Sequence, residues 1–181
     1  MNKLLILQGI PASWKSTFAK QWVEEDPKTR VIVNRDSIRR GLGVYWVPSR
    51  ETLVSSIEEH SVYEALDMGY NVCLDATNLN LKFLEKWVEI AELLNIPIEY
   101  KQFDISLEEA LERDKNREFP VGEDVIINFY NKYCKWYQQL LFYYIYLFPK
   151  LYEYYYLKYQ LHLLLFYFFY YLNIFTYKNN I

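Results

Sequence analysis

The sequence predicts an α/β fold: about four short strands in one parallel sheet, flanked by helices. Three observations carry this expectation. Short apolar or β-branched runs occur at residues 3–8 (KLLILQ), 31–33, 71–74 and 98–103. Stretches with helical spacing separate them, and strands divided by helices of this length pair in parallel and are covered on both faces. The third observation sets the limits. Residues 1–135 hold 15 aromatic and 39 charged side chains, whereas residues 136–181 hold 20 aromatics and only four charges. The α/β pattern therefore belongs to residues 1–135, and residues 136–181 form a separate hydrophobic extension, helical or irregular.

The first run, 3–8, ends at Gly9 and has the length of a buried strand. Phe18, Trp22 and Val23 then recur at helical spacing. After the second run, residues 49–68 read as a helix, with Leu53, Ile57, Val62, Ala65 and Leu66 on its apolar side. The third run follows. Asn80 is placed to cap a helix through Leu94, whose Phe83, Leu84, Trp87, Val88, Ala91 and Leu94 fall three and four apart. After the fourth run, Ser106 and Glu109 have the spacing of a capping box. Gly122 and Glu123 open a last helix carrying Val125, Ile126, Phe129, Tyr130 and Tyr133.

Composition excludes several classes. The net charge of −3 rules out nucleic-acid binding by bulk positive charge, so any such binding needs a local patch. Cys73 and Cys134 are too few for a disulfide scaffold and fit a reducing compartment. Residues 1–8 lack the apolar core and small-residue site of a secretory leader. These features make a cytoplasmic protein the expectation.

In a doubly covered parallel sheet, ligands bind beyond the carboxyl ends of the strands. The first strand leads into GIPASWKST, residues 9–17. A phosphate-binding loop needs a strand, a bend of converging backbone N–H groups, and a helix N-terminus. Gly9, Lys15 and Ser16 have the required spacing, with Lys15 for phosphates and Ser16 for Mg²⁺. Ser13 and Thr17 complete the set of nucleotide-binding candidates. Trp14 stands where a second glycine is usual. A bulky residue there at positive φ is strained. Either its indole obstructs the phosphates and weakens ATP binding, or it points outward and packs on a base or a lid.

The second strand leads into NRDSIR, residues 34–39. Asp36 is placed either to accept a hydroxyl proton as general base or to cap a helix. Arg39, one turn on, lies on the same side and suits an acceptor phosphate. The third strand leads into DATNLN, residues 75–80. Asp75 suits Mg²⁺ or its waters, and Thr77 and Asn78 suit the acceptor, although Asp and Asn also favour turns. Arg113 and Arg117 share one helical face. They read as lid arginines neutralising a transferred phosphoryl group, or as a solvated pair near Glu109 and Glu112.

Taken in order, GxxxxxKST, NRDxxR, DATNLN and RxxxR, followed by Pro-Val-Gly and FYNKY, resemble the bacteriophage-type polynucleotide 5′-kinase family of small P-loop kinases. The resemblance spans about residues 1–135. It implies transfer of the γ-phosphoryl of ATP, with Mg²⁺, to a 5′-hydroxyl end of DNA or RNA. It makes Asp36 the general base, places Arg35, Arg39, Thr77 and Asn78 with the acceptor, and makes Lys15, Arg113 and Arg117 catalytic. Ser16 and Asp75 become the metal-side residues. Some members have Asp directly before the threonine, where this chain has Ala76 and carries the carboxylate at Asp75. A kinase of a small alcohol or sugar, and a catalytically silent nucleotide- or end-binding module, are the alternatives. A local patch of Arg35, Arg39, Arg40 and Arg50 implies salt-sensitive binding of short single-stranded ends.

The extension has three open readings: a hydrophobic hairpin packed on the kinase, on a partner or on a second copy; a membrane-associating segment; or a frameshifted or read-through end. Residues 159–177 carry no formal charge, near the shortest length for a span, but their tyrosines suit an interface better.

Overall fold

The computed structural model describes residues 2–134, so the extension expected over 136–181 lies outside the described residues. The element order is β1 (Leu4–Gln8), α1 (Lys15–Glu25), β2 (Arg30–Asn34), α2 (Arg35–Gly41), a 3₁₀ turn (Pro48–Arg50), α3 (Glu51–Asp67), β3 (Asn71–Asp75), α4 (Leu81–Leu93), β4 (Ile98–Gln102), α5 (Leu107–Lys115) and α6 (Glu123–Phe129). A π-helical turn, Tyr130–Cys134, follows α6. The four strands form one parallel sheet, as the sequence predicts, in the order β2-β3-β1-β4.

Alternation along β1 explains the two covered faces. Leu4 and Ile6 join Val72, Leu74 and Val33 on one face, under Val62 and Leu66 of α3 and Leu84, Trp87 and Ile90 of α4. Leu5 and Leu7 join Cys73 on the other, under Ala19 and Trp22 of α1. All four residues of the first pair and second pair are essentially buried. Burying a leucine or isoleucine side chain is worth about 1.5–3 kcal/mol, so the central strand anchors the domain. A smaller cluster of Ile10, Ala110 and Ile126 lies beneath the loop after β1. β4 is an edge strand, and Glu99 to Gln102 are exposed; its charged side chains suit an edge that must not pair further.

Several local expectations change. The predicted helix 49–68 begins as the 3₁₀ turn and becomes α-helical at Glu51. Its buried stripe is Val54, Glu58, Val62 and Leu66, one residue every four, and Leu53 is exposed. Phe83 and Val125 are exposed as well. α2 is capped by Asn34, whose side chain accepts from Ser37 N, so Asp36 is free of that task. Asn80 and Ser106 cap α4 and α5 as predicted. Only half of the capping box forms, because the Glu109 carboxylate pairs with Arg113 instead.

Candidate active site

Strand order creates the site. From β1 the chain crosses to β2 on one side, and from β3 it crosses to β4 on the other. The loops after β1 and β3 therefore part above neighbouring strand ends, the place where such sheets bind ligands. Backbone and amide hydrogen bonds lace these ends together. Gly9 N donates to Thr77 O at 3.1 Å. The Asn78 amide donates to Leu7 O at 2.8 Å and Leu74 O at 3.2 Å, and Gln8 donates to Asn78 O at 3.0 Å. Asn78 is buried with φ 46°, a left-handed conformation that asparagine tolerates. Its amide is committed to the backbone, while Thr77 is half-buried beside it.

Gly9 is required by space. A Cβ there would lie 2.6 Å from Ser13 Oγ and 2.8 Å from Phe103 O, at φ 155°. Ala12 and Trp14 have φ of 66° and 69°. Left-handed residues curl a loop so that successive N–H groups face inward and receive an anion. α1 starts directly after this loop at Lys15, which adds a helix N-terminus. Lys15 is only 7% exposed. Its Nζ donates to Ile10 O at 2.7 Å and Ser13 Oγ at 3.1 Å. Burial lowers its pKa to about 8, with the Asp75 carboxylate opposing and the Arg117 guanidinium assisting. Ser16 and Thr17 are exposed at the start of α1.

Asp75 ends β3 and is buried. Burial raises its pKa, against the pull of Ser16, Lys15 and Asn34. Asn34 donates to both Asp75 O and Asp75 Oδ2 at 2.9 Å, so the end of β2 orients the carboxylate. Asp36, in the first turn of α2, accepts from Arg39 at 2.7 Å and from Tyr45 Oη at 2.9 Å, both on Oδ1. Among the described residues nothing hydrogen-bonds its Oδ2. Arg39 also donates twice to Glu51, both at 2.8 Å. This fork lowers the Glu51 pKa to about 2. Burial raises the Tyr45 hydroxyl pKa, and Asp36 adds to it, so Tyr45 stays a donor.

Arg35, expected with the acceptor, is turned to α3. It donates to Glu58 at 2.6 Å, to Glu51 at 3.1 Å and to Ser55 at 3.1 Å. It thereby neutralises the carboxylate buried in the α3 stripe. Arg113 lies with its guanidinium 4.4 Å from the Trp14 ring centroid and donates to Ala12 O at 3.3 Å. The Trp14 indole is 56% exposed. The ring thus points outward and packs on Arg113, with the backbone at positive φ. Arg117 lies past the end of α5, so it does not share a helical face with Arg113 as expected, and it pairs with Asp114 at 3.4 Å. Buried Asp114 also accepts from Val121 N at 3.0 Å and Gly122 N at 2.9 Å, so one carboxylate fixes the turn between α5 and α6.

Four contributors escaped the sequence reading: Asn34, Tyr45, Glu51 and Asp114. Asn34 had a visible signal, an asparagine between a strand and a helix. Asp114 lies between Arg113 and Arg117 in the sequence. Tyr45 and Glu51 meet Asp36 and Arg39 only through tertiary folding.

A family model described as an AAA domain matches residues 4–139. The chain belongs to this AAA domain family. It is a P-loop kinase domain, and its relatives agree with the motif resemblance. It is 31% identical, over 148 residues, to the "Putative bifunctional polynucleotide kinase/RNA ligase" of Autographa californica nuclear polyhedrosis virus, covering 74% of this chain and 21% of that protein. It is 28% identical to the L-seryl-tRNA(Sec) kinase of Methanococcus maripaludis (strain DSM 14266), covering 72% of this chain and 52% of that one. A chain of the solved Pnkp1/Rnl/Hen1 RNA repair complex is 33% identical with a TM-score of 0.62, covering 69% of this chain and 42% of that one. The chain therefore spans about a fifth and about half of the two curated relatives. No helix among the described residues is long and apolar enough to cross a membrane.

Proposed function

We propose that this P-loop kinase domain transfers the γ-phosphoryl of ATP to the 5′-hydroxyl end of DNA or RNA. The observation that carries this reading is Asp36. Two donors hold its Oδ1, its Oδ2 has no partner among the described residues, and it is close enough to Lys15 to influence its charge. A carboxylate so oriented can take the acceptor's proton as the hydroxyl oxygen bonds to the γ-phosphorus and the bond to ADP breaks. The likeness to the polynucleotide kinase relatives supports this acceptor class.

The residues fit ATP and Mg²⁺. The loop's left-handed residues and the α1 N-terminus offer N–H groups to phosphate, and Lys15 offers a buried cation. Ser16 and Asp75 supply neighbouring oxygens, the donor type Mg²⁺ requires. Burial leaves the Asp75 carboxylate short of compensating charge, as its raised pKa shows. Magnesium bound there supplies positive charge to the phosphate oxygens. Arg117, near enough to repel Lys15, and Arg113, held over the loop by Trp14, are placed to neutralise the charge on the transferred group. Arg39 fits a phosphate of the acceptor, for which Glu51 is the competing anion.

A second reading, favoured by the likeness to the L-seryl-tRNA(Sec) kinase, is a different hydroxyl acceptor at the same base. Labelled ATP offered with 5′-hydroxyl oligonucleotides and with a panel of small alcohols separates the two. Label on the oligonucleotide alone is the expected outcome. Label on small alcohols alone would overturn the polynucleotide reading.

A further inference from the structure

Three large exposed rings gather about Arg39 and Arg40, the α2 arginines that follow Asp36. The loop between α2 and the 3₁₀ turn presents Tyr45 and Trp46, and the loop after α5 presents Phe119; Trp46 is 57% exposed and Phe119 58%. Two arginines of α2 join them. The Arg40 guanidinium lies 5.7 Å from the Tyr45 ring centroid and 5.2 Å from that of Phe119. Arg39 lies 5.9 Å from Tyr45 and 5.3 Å from Trp46. The patch is continuous with the candidate base, because Tyr45 and Arg39 both donate to Asp36 Oδ1.

Exposed aromatic clusters are costly for solubility and mark interaction surfaces. The charges here indicate the occupant. Glu51 and Asp36 balance Arg39, but among the described residues neither Arg40 nor Arg50 has a carboxylate partner. Flat rings beside unbalanced guanidinium groups match a single strand, whose bases stack on rings while its phosphates meet the arginines. A duplex keeps its bases stacked inside. An acidic peptide would use the arginines and leave the rings idle.

We infer that Trp46 and Phe119, with Arg40 between their loops, form a stacking subsite for unpaired bases of the acceptor strand beyond its terminal nucleotide. The inference rests on the polynucleotide reading above and adds the part of the substrate that this surface holds.

The test uses the full chain with 5′-hydroxyl acceptors of one nucleotide (3′-phosphorylated), three nucleotides, and three nucleotides with the second and third abasic. For the wild type, KM is expected to fall from one to three nucleotides and to rise again for the abasic trimer. Trp46→Ala and Phe119→Ala should each raise KM for the trimer about tenfold. Neither should alter KM for the mononucleotide or for ATP, and Trp46→Phe should restore most of the loss. Equal KM for native and abasic trimers, or an equal loss on the mononucleotide, would overturn the subsite. Fluorescence anisotropy of a labelled six-thymidine strand runs in parallel. If no 5′-end is phosphorylated, the polynucleotide reading fails. Even then, loss of strand binding in Trp46→Ala supports the stacking surface, and unchanged binding, or equal competition by polyglutamate, overturns it.

Discussion

The two halves of the candidate site are held by different forces. The phosphate half lies between the ends of β1 and β3, where main-chain bonds and the Asn78 amide fix the loops over a buried core. The acceptor half is built on α2 and exposed loops, where ion pairs to Glu51 and Glu58 and guanidinium–ring contacts do the holding. Strand ends give a rigid cradle for a group every kinase of this kind must bind. Side-chain networks give a surface whose chemistry can vary with the acceptor. Substitutions in the first half should therefore act on phosphate handling, and those in the second on acceptor use or on stability.

Within the phosphate half, the sharpest break is expected at Lys15. Lys15→Ala should lower kcat/KM for ATP by about 10²–10³, the usual effect of losing one charge-stabilising donor. The fold should persist, because a buried amine is removed from a site that already depresses its charge. Circular dichroism and steady-state kinetics check both parts.

Arg35 gives the next largest effect, on stability. Arg35→Ala leaves Glu58 buried with Lys86, at 3.7 Å, as its one remaining cationic neighbour among the described residues. Breaking such a pair costs about 3 kcal/mol, or a fall in Tm of roughly 10 °C for a domain of this size. Calorimetry measures this, and an unchanged Tm combined with a raised acceptor KM would make Arg35 an acceptor contact and not a structural one.

Much of the phosphate half was legible in the sequence, because strand, loop and helix follow one another along the chain. The apolar run before Gly9 and the Lys-Ser-Thr after the loop fix the positions of Lys15 and Ser16. The acceptor half was less legible. Asp36 and Arg39 were visible as a pair at helical spacing, but Glu51 reaches Arg39 across an intervening loop. Arg35 reads as an acceptor residue in the sequence, whereas in the fold its partner is Glu58, a carboxylate that breaks the apolar period in the buried stripe of α3. Trp14 shows a third kind of gap. Its positive φ followed from the loop pattern, whereas its partner Arg113 lies 99 positions along the chain and no local signal joins them.

The buried amine of Lys15 makes the phosphate half sensitive to pH. Lys15 has a pKa of about 8, so its charge is present below pH 8 and lost above it. Bound phosphate favours the charged amine. Above pH 8, ATP binding should weaken up to about tenfold per pH unit and take up a proton from the buffer. Calorimetric titration in buffers of different ionisation enthalpy measures that uptake. A flat affinity from pH 7 to 9 would place the Lys15 charge outside the binding step.

The smallest effect belongs to Trp14. Trp14→Gly relieves about 1–2 kcal/mol of left-handed strain and loses about 0.5–1 kcal/mol of contact with Arg113. Stability should change by roughly 1 kcal/mol or less. If the ring positions Arg113, kcat should fall a few-fold, KM for ATP should hold, and Trp14→Phe should restore the rate. A fall in ATP KM in Trp14→Gly would instead revive the obstructing indole.

The proposed kinase chemistry depends on Asp36 acting as the base for a 5′-hydroxyl end. Its most direct test is transfer of label from γ-labelled ATP to a six-nucleotide 5′-hydroxyl strand, wild type against Asp36→Asn. Label is expected at the 5′ end in the wild type, with a rate about 10²–10⁴-fold lower in the variant at unchanged ATP affinity. Equal labelling by both proteins, or none by the wild type, would contradict it.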